Sequence, residues 1–85
     1  MSKLEKLMDA IVNNPRDVRF EDACKIARHI GFTAESGRGS HFAFSKKGES
    51  TLLNFQKNAN GKIPAYQGRQ LSDMIQRYRD QNDED

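Results

Sequence analysis

One cysteine and two histidines are all the thiolate and imidazole ligands that this 85-residue chain offers a metal. A lone Cys24 cannot form an intrachain disulfide, and no histidine falls at ligand spacing with it or with a carboxylate, so no metal centre is expected. Apolar residues are scarce as well, at 35% of the sequence, and no apolar run approaches the ~18 residues needed to cross a bilayer. Where a secretory leader would be continuously apolar, the N-terminus alternates charged and apolar residues. No segment repeats and none is of low complexity. These absences leave one small domain with a modest core, expected in the cytoplasm without a membrane partner or a small-molecule cofactor.

What is present is an uneven distribution of charge. The net charge is +2, yet residues 1–36 carry as many Lys and Arg as Asp and Glu, whereas residues 37–69 hold Arg38, Lys46, Lys47, Lys57, Lys62 and Arg69 against Glu49 alone. Residues 80–85 are largely acidic and read as a disordered tail behind a domain of residues 1–79. A basic stretch of this kind draws polyanions by steering and counterion release, RNA and DNA phosphates being the commonest; a solvated lysine-rich surface is the plainer alternative.

Leu4, Leu7, Met8, Ile11 and Val12 recur at helical spacing behind Ser2-Lys3-Leu4-Glu5, which has the form of a capping box, and Asn13-Asn14-Pro15 should end that helix. A second helix carries Phe20, Ala23, Cys24, Ala27 and Ile30 on one stripe and stops at Gly31. On this stripe Cys24 reads as a small buried hydrophobe without redox or nucleophilic duty. His29, in the last turn, reads as a complement to the helix C-terminus. Three strands follow at about residues 32–36, 41–45 and 51–56, joined closely enough to impose an antiparallel meander. Residues 57–62 read as a mobile basic loop, and Leu71, Met74, Ile75 and Tyr78 give a final helix over residues 67–79. The expected fold is two-layered α+β, in the α-β-β-β-α order of double-stranded RNA-binding domains, with an added N-terminal helix and one sheet face left open.

The most informative stretch is Gly37-Arg38-Gly39-Ser40-His41-Phe42-Ala43-Phe44. Glycine supplies positive φ for a turn, and behind it Phe42 and Phe44 share one face of a period-two strand, which sends His41 and Ala43 to the other. Imidazole is the side chain best suited to exchange a proton at neutral pH. His41 is therefore the candidate catalytic residue; the alternative is an exposed strand residue without a role.

These blocks also have a familiar order. Ile30-Gly31-Phe32, then Gly39-Ser40-His41-Phe42 with Phe44, then Leu53-Asn54-Phe55-Gln56, then Lys62-Ile63-Pro64-Ala65-Tyr66-Gln67 before a closing helix, together resemble the HicA toxin family over residues 20–78. The sharpest element is Gly-Ser-His at the opening of the second strand. The resemblance implies a double-stranded-RNA-binding-domain-like fold and an mRNA interferase, the toxin of a type II toxin-antitoxin system, held inactive by a HicB-type antitoxin protein. It also makes His41 the functional histidine.

RNA carries its own nucleophile, the 2′-hydroxyl, so metal-independent cleavage asks for a base to take that proton and cations to accept phosphate charge. His41 is expected as general base, or as acid in the reverse protonation state, with Lys46, Lys47 or Arg38 stabilising the phosphorane-like transition state. Lys57 and Lys62 extend the basic surface, and backbone N–H groups of residues 37–40 offer further anion contacts. Ser40 is read as a turn residue first and as a partner of the imidazole second. Two readings compete with the endoribonuclease: a non-catalytic RNA-binding module of the same fold, and a protein-interaction domain that accepts a partner strand on a sheet edge.

Overall fold

Ser2 Oγ accepts the N–H of Glu5 at 3.1 Å and thereby starts helix α1 (Lys3–Asn13) in the computed structural model, which describes residues 2–82. The helix ends one residue short of Asn14-Pro15, as the restriction on the residue before proline requires. Helix α2 (Phe20–His29) ends in a Schellman turn: Phe32 donates to the carbonyl of Ala27 at 2.9 Å and Gly31 to that of Arg28 at 3.1 Å, with Gly31 at φ 105°. Because the N–H of Phe32 is committed to the helix, the first strand opens at Thr33, one residue later than the sequence pattern suggests.

Three antiparallel strands follow in the spatial order β1 (Thr33–Arg38), β2 (His41–Ser45) and β3 (Leu53–Gln56). A two-residue turn, Gly39-Ser40, joins the first two, and only Gly39 takes a positive φ, 58°. Gly37 lies inside β1 with a negative φ, which corrects its assignment to the turn; its role is to have no Cβ, since one built there would meet the Phe42 ring at 2.5 Å. The register pairs Gly37 with Phe42 and Phe42 with Phe55. A bulge at Glu35 interrupts β1, and Ser45 Oγ donates to the Glu35 carboxylate at 2.6 Å. β3 is shorter than expected: Thr51 and Leu52 precede it, and pairing begins where Leu53 lies opposite Phe44.

The sheet is covered on one face. Phe44, Leu53 and Phe55 pack against Phe20, Ala23, Ile26 and Ala27 of α2, Ile30 at its C-cap, and Leu71, Met74 and Ile75 of helix α3 (Ala65–Asn82). Rings run in sequence through this layer, Phe20 to Phe42 at 5.5 Å, Phe42 to Phe44 at 6.4 Å and Phe44 to Phe55 at 5.7 Å, which fixes the inward side of β2. Cys24 is buried among them. Helix α1 adds Met8 and Ile11 and packs on α3, where Arg79 reaches Asp9 at 2.7 Å and Glu5 at 3.4 Å.

Two further expectations change. Residues 57–62, expected to be mobile, are tied down: Asn58 donates to Lys62 at 2.9 Å, Phe20 to Gly61 at 2.9 Å and Ile63 to Val18 at 2.9 Å, in a short antiparallel bridge with the α1–α2 connection. Helix α3 runs past Arg79, so Asp80, Gln81 and Asn82 of the expected tail are helical, while Asp83, Glu84 and Asp85 lie outside the described residues. No helix among the described residues is long and apolar enough to cross a membrane.

Candidate functional site

His41 opens β2, with Phe42 and Phe44 turned to the helices, so alternation puts the imidazole on the uncovered face, where it is exposed. Cross-strand pairing then fixes its neighbours. Arg38 of β1 lies opposite on one side and Gln56 of β3 on the other; one step further along the same face, Ala43 lies between Ser36 and Asn54. Directly opposed side chains on one face stand about 5 Å apart at Cβ. Ala43 is the smallest member of the group, and around it is a shallow depression of about 170 Å³ lined by His41, Asn54, Gln56, Ser36 and Gln67.

Gln67 is the functional-looking residue that motif reading missed. It is 5% exposed, and its Oε1 accepts the N–H of Gln56 at 2.8 Å, which satisfies the outer edge of β3 beside the depression. A signal was available: Gln67 stands four residues before Leu71 on the inward stripe of α3, and a polar residue on an apolar stripe needs a partner.

The predicted cations separate into groups. Arg38 is adjacent to His41 across the hairpin. Lys57 follows Gln56, and its backbone N–H continues the ladder to the Ser40 carbonyl at 2.8 Å, which keeps it at the same end of the sheet. Its ammonium pairs with Glu21 at 3.2 Å, both side chains largely in solvent, so a phosphate can displace the carboxylate. The Glu21 carboxyl is held below its usual range by a backbone hydrogen bond first and by Lys57 second.

Lys46 and Lys47 do not belong to this group, which corrects their expected role at the transition state. They follow the opposite end of β2, and at about 3.3 Å per residue their backbones lie on the order of 15–20 Å from His41. Lys46 is moreover engaged, its Nζ donating to the Ile30 carbonyl at 2.9 Å, while Lys47 is exposed. The Glu35 carboxylate lies near that end as well, bonded to Ser45. Lys62 is also elsewhere: it pairs with Asp17 and borders a separate groove of about 340 Å³ with Leu7, Ile11, Val18 and Arg19. Ser40 Oγ stands 3.5 Å from His41 Nδ1, too far to orient the ring firmly, which leaves the serine its place in the turn.

His29 sits at the end of α2 with its ring 6.0 Å from that of Tyr78. Among the described residues the depression is lined by one imidazole, by three neutral polar side chains besides Gln67, and by Phe42, Ala43 and Phe55, while Arg38 is the cross-strand partner of its imidazole. Such a set can accept and return a proton and can stabilise an anion. Comparison with protein-family models, with curated proteins and with solved structures finds no match to this chain.

Proposed function

We propose that this protein is a metal-independent endoribonuclease of the HicA type, an mRNA interferase acting in the cytoplasm under the control of a HicB-type antitoxin. The observation that carries the reading is the placement of His41: an exposed imidazole on the open sheet face, between Arg38 and Gln56 and at the rim of a shallow hollow lined by both polar and apolar side chains. The succession α2-β1-β2-β3-α3 supports a double-stranded-RNA-binding-domain-like arrangement preceded by α1.

In the proposed reaction neutral His41 takes the proton of a ribose 2′-hydroxyl, and the oxygen attacks the adjacent phosphorus. The bond to the 5′-oxygen of the next nucleotide breaks, and that oxygen takes a proton from solvent, leaving a 2′,3′-cyclic phosphate and a 5′-hydroxyl. The guanidinium of Arg38, across the hairpin, stabilises the charge that gathers on the non-bridging oxygens, and Lys57, whose ammonium is turned to Glu21 of α2, adds only to the field at that end of the sheet. Gln56 and Asn54 offer amide contacts to ribose or base.

A non-catalytic RNA-binding module is the second reading, and one observation favours it: His29 lies against Tyr78, so no second imidazole stands at the depression to act as the partner acid. His41→Ala separates the two. Under the enzyme reading this variant binds single-stranded RNA as the parent does and no longer cleaves it; cleavage at the parent rate removes the proposed chemistry.

A further inference from the structure

Tyr66 and Leu52 are the two large apolar side chains left exposed among the described residues, and Tyr66 is 58% exposed. One exposed ring is unremarkable by itself. This one is held in place: Gln67 Nε2 donates to the Tyr66 hydroxyl at 3.3 Å, while Oε1 of the same buried amide accepts from Gln56 at 2.8 Å. Gln56 is the cross-strand partner of His41. One amide and one strand spacing thus separate the phenol from the strand of the histidine, a span on the order of 10 Å. Arg69, three residues further along α3 and exposed, shares the helical side of Tyr66, and Lys57 follows Gln56 directly.

A fixed, solvent-facing ring with a cation on the same helical side is what single-stranded nucleic acid uses: the base stacks on the ring and a phosphate meets the charge. We propose that Tyr66 is the stacking platform for an unpaired RNA base neighbouring the nucleotide whose 2′-hydroxyl reaches His41. The inference rests on the RNA reading above and adds to it that the substrate is single-stranded at this position. A base inside a duplex has no free face to offer the ring.

The test uses the full chain with His41→Ala, to prevent turnover, and a short single-stranded oligoribonucleotide at low salt. Adding Tyr66→Ala weakens binding about fivefold to hundredfold, whereas Tyr66→Phe, which keeps the ring and loses the bond from Gln67, retains most of the parent affinity. The sequence contains no tryptophan, so Tyr66→Trp introduces a sole indole whose fluorescence is quenched by the single strand and not by the same strand in a duplex or by inorganic polyphosphate. Undiminished RNA binding by the Tyr66→Ala variant overturns the platform and leaves the RNA reading standing, as does quenching by polyphosphate equal to that by RNA. Failure of the His41→Ala parent to bind any RNA overturns both. If Tyr66→Ala instead abolishes capture of a protein partner and leaves RNA affinity intact, the ring is a protein contact and the proposal fails.

Discussion

Lys46 Nζ donates to the carbonyl of Ile30 at 2.9 Å, so a lysine just beyond the end of β2 closes the C-terminus of α2. The ammonium also stands 5.9 Å from the centre of the Phe32 ring and 5.7 Å from that of Tyr78. A cation at the negative end of a helix, bonded to a carbonyl that the helix cannot itself satisfy, is favourable on both counts. β2 is five residues long, so this tie at one end helps to fix the strand that presents His41 at the other.

Lys46→Ala is expected to lower the free energy of unfolding by about 1.5–3 kcal/mol, the scale of a lost charge-assisted hydrogen bond. Urea unfolding measures it. RNA affinity of the folded variant should equal that of the parent, because the ammonium faces the helices. Lys47→Ala should leave stability unchanged; a stability loss equal to that of Lys46→Ala would refute the distinction drawn between the two lysines.

Gly68 gives a prediction whose sign is the test. In an exposed helix interior, glycine to alanine is stabilising by about 1 kcal/mol. Here a Cβ on residue 68 would run into the carbonyl oxygen of Pro15, a backbone atom of the α1–α2 connection. The helix or the connection must shift, and Gly68→Ala should destabilise by about 2 kcal/mol or more. A higher melting temperature for this variant would show that α3 does not approach Pro15 so closely.

The features legible in the sequence are those that depend on neighbours in the chain. Apolar stripes placed the three helices, and the alternation of Phe42 and Phe44 with His41 and Ala43 told which side of β2 faces the core. What remained hidden depends on space. Lys46 and Lys47 are five and six residues from His41 in sequence, yet an extended strand carries them to the far end of the sheet. Lys57 is sixteen residues from His41 and returns beside it, because β3 runs antiparallel to β2. Gly37 and Gly39 look alike in sequence, but the turn needs the φ of one and the Phe42 ring needs the bareness of the other. The extension of α3 beyond Arg79 was obscured by acidic residues, which signal a tail by composition while remaining compatible with a helix.

Burial pushes the Cys24 thiol up from its ordinary value, with Arg28 opposing and Glu21 adding to the shift. The sign follows from proton counts. Above about pH 8.5 the thiol of the unfolded chain ionises while that of the native chain stays protonated, so the unfolded state binds fewer protons and stability falls as pH rises. Under reducing conditions the urea midpoint should therefore decline from pH 8 to pH 10 more steeply in the parent than in Cys24→Ala. Parallel profiles would mean that the thiol is as readily ionised in the native state as in the unfolded one. The native thiol should also react slowly with alkylating reagents, at a rate that rises with added denaturant.

Arg38 and Lys47 provide the sharpest comparison for the proposed chemistry. Both are exposed cations of the basic stretch over residues 37–69, but Arg38 is paired directly with His41 whereas Lys47 lies beyond the opposite end of the strand. A charge that acts on the phosphorane must be close to it, since exposed charges separated by more than about 10 Å are largely screened at 0.1 M salt. Arg38→Ala should therefore reduce kcat by about tenfold to hundredfold, below or at the low end of what removal of a preorganised oxyanion donor costs, with a smaller change in RNA affinity. Arg38→Lys should recover part of the rate, because it keeps the charge and loses the planar fork that engages two phosphate oxygens. Lys47→Ala should leave kcat unchanged and reduce the salt dependence of binding by about one unit at most. Equal kcat values for the Arg38→Ala and Lys47→Ala variants would mean that proximity to His41 across the hairpin has no bearing on turnover.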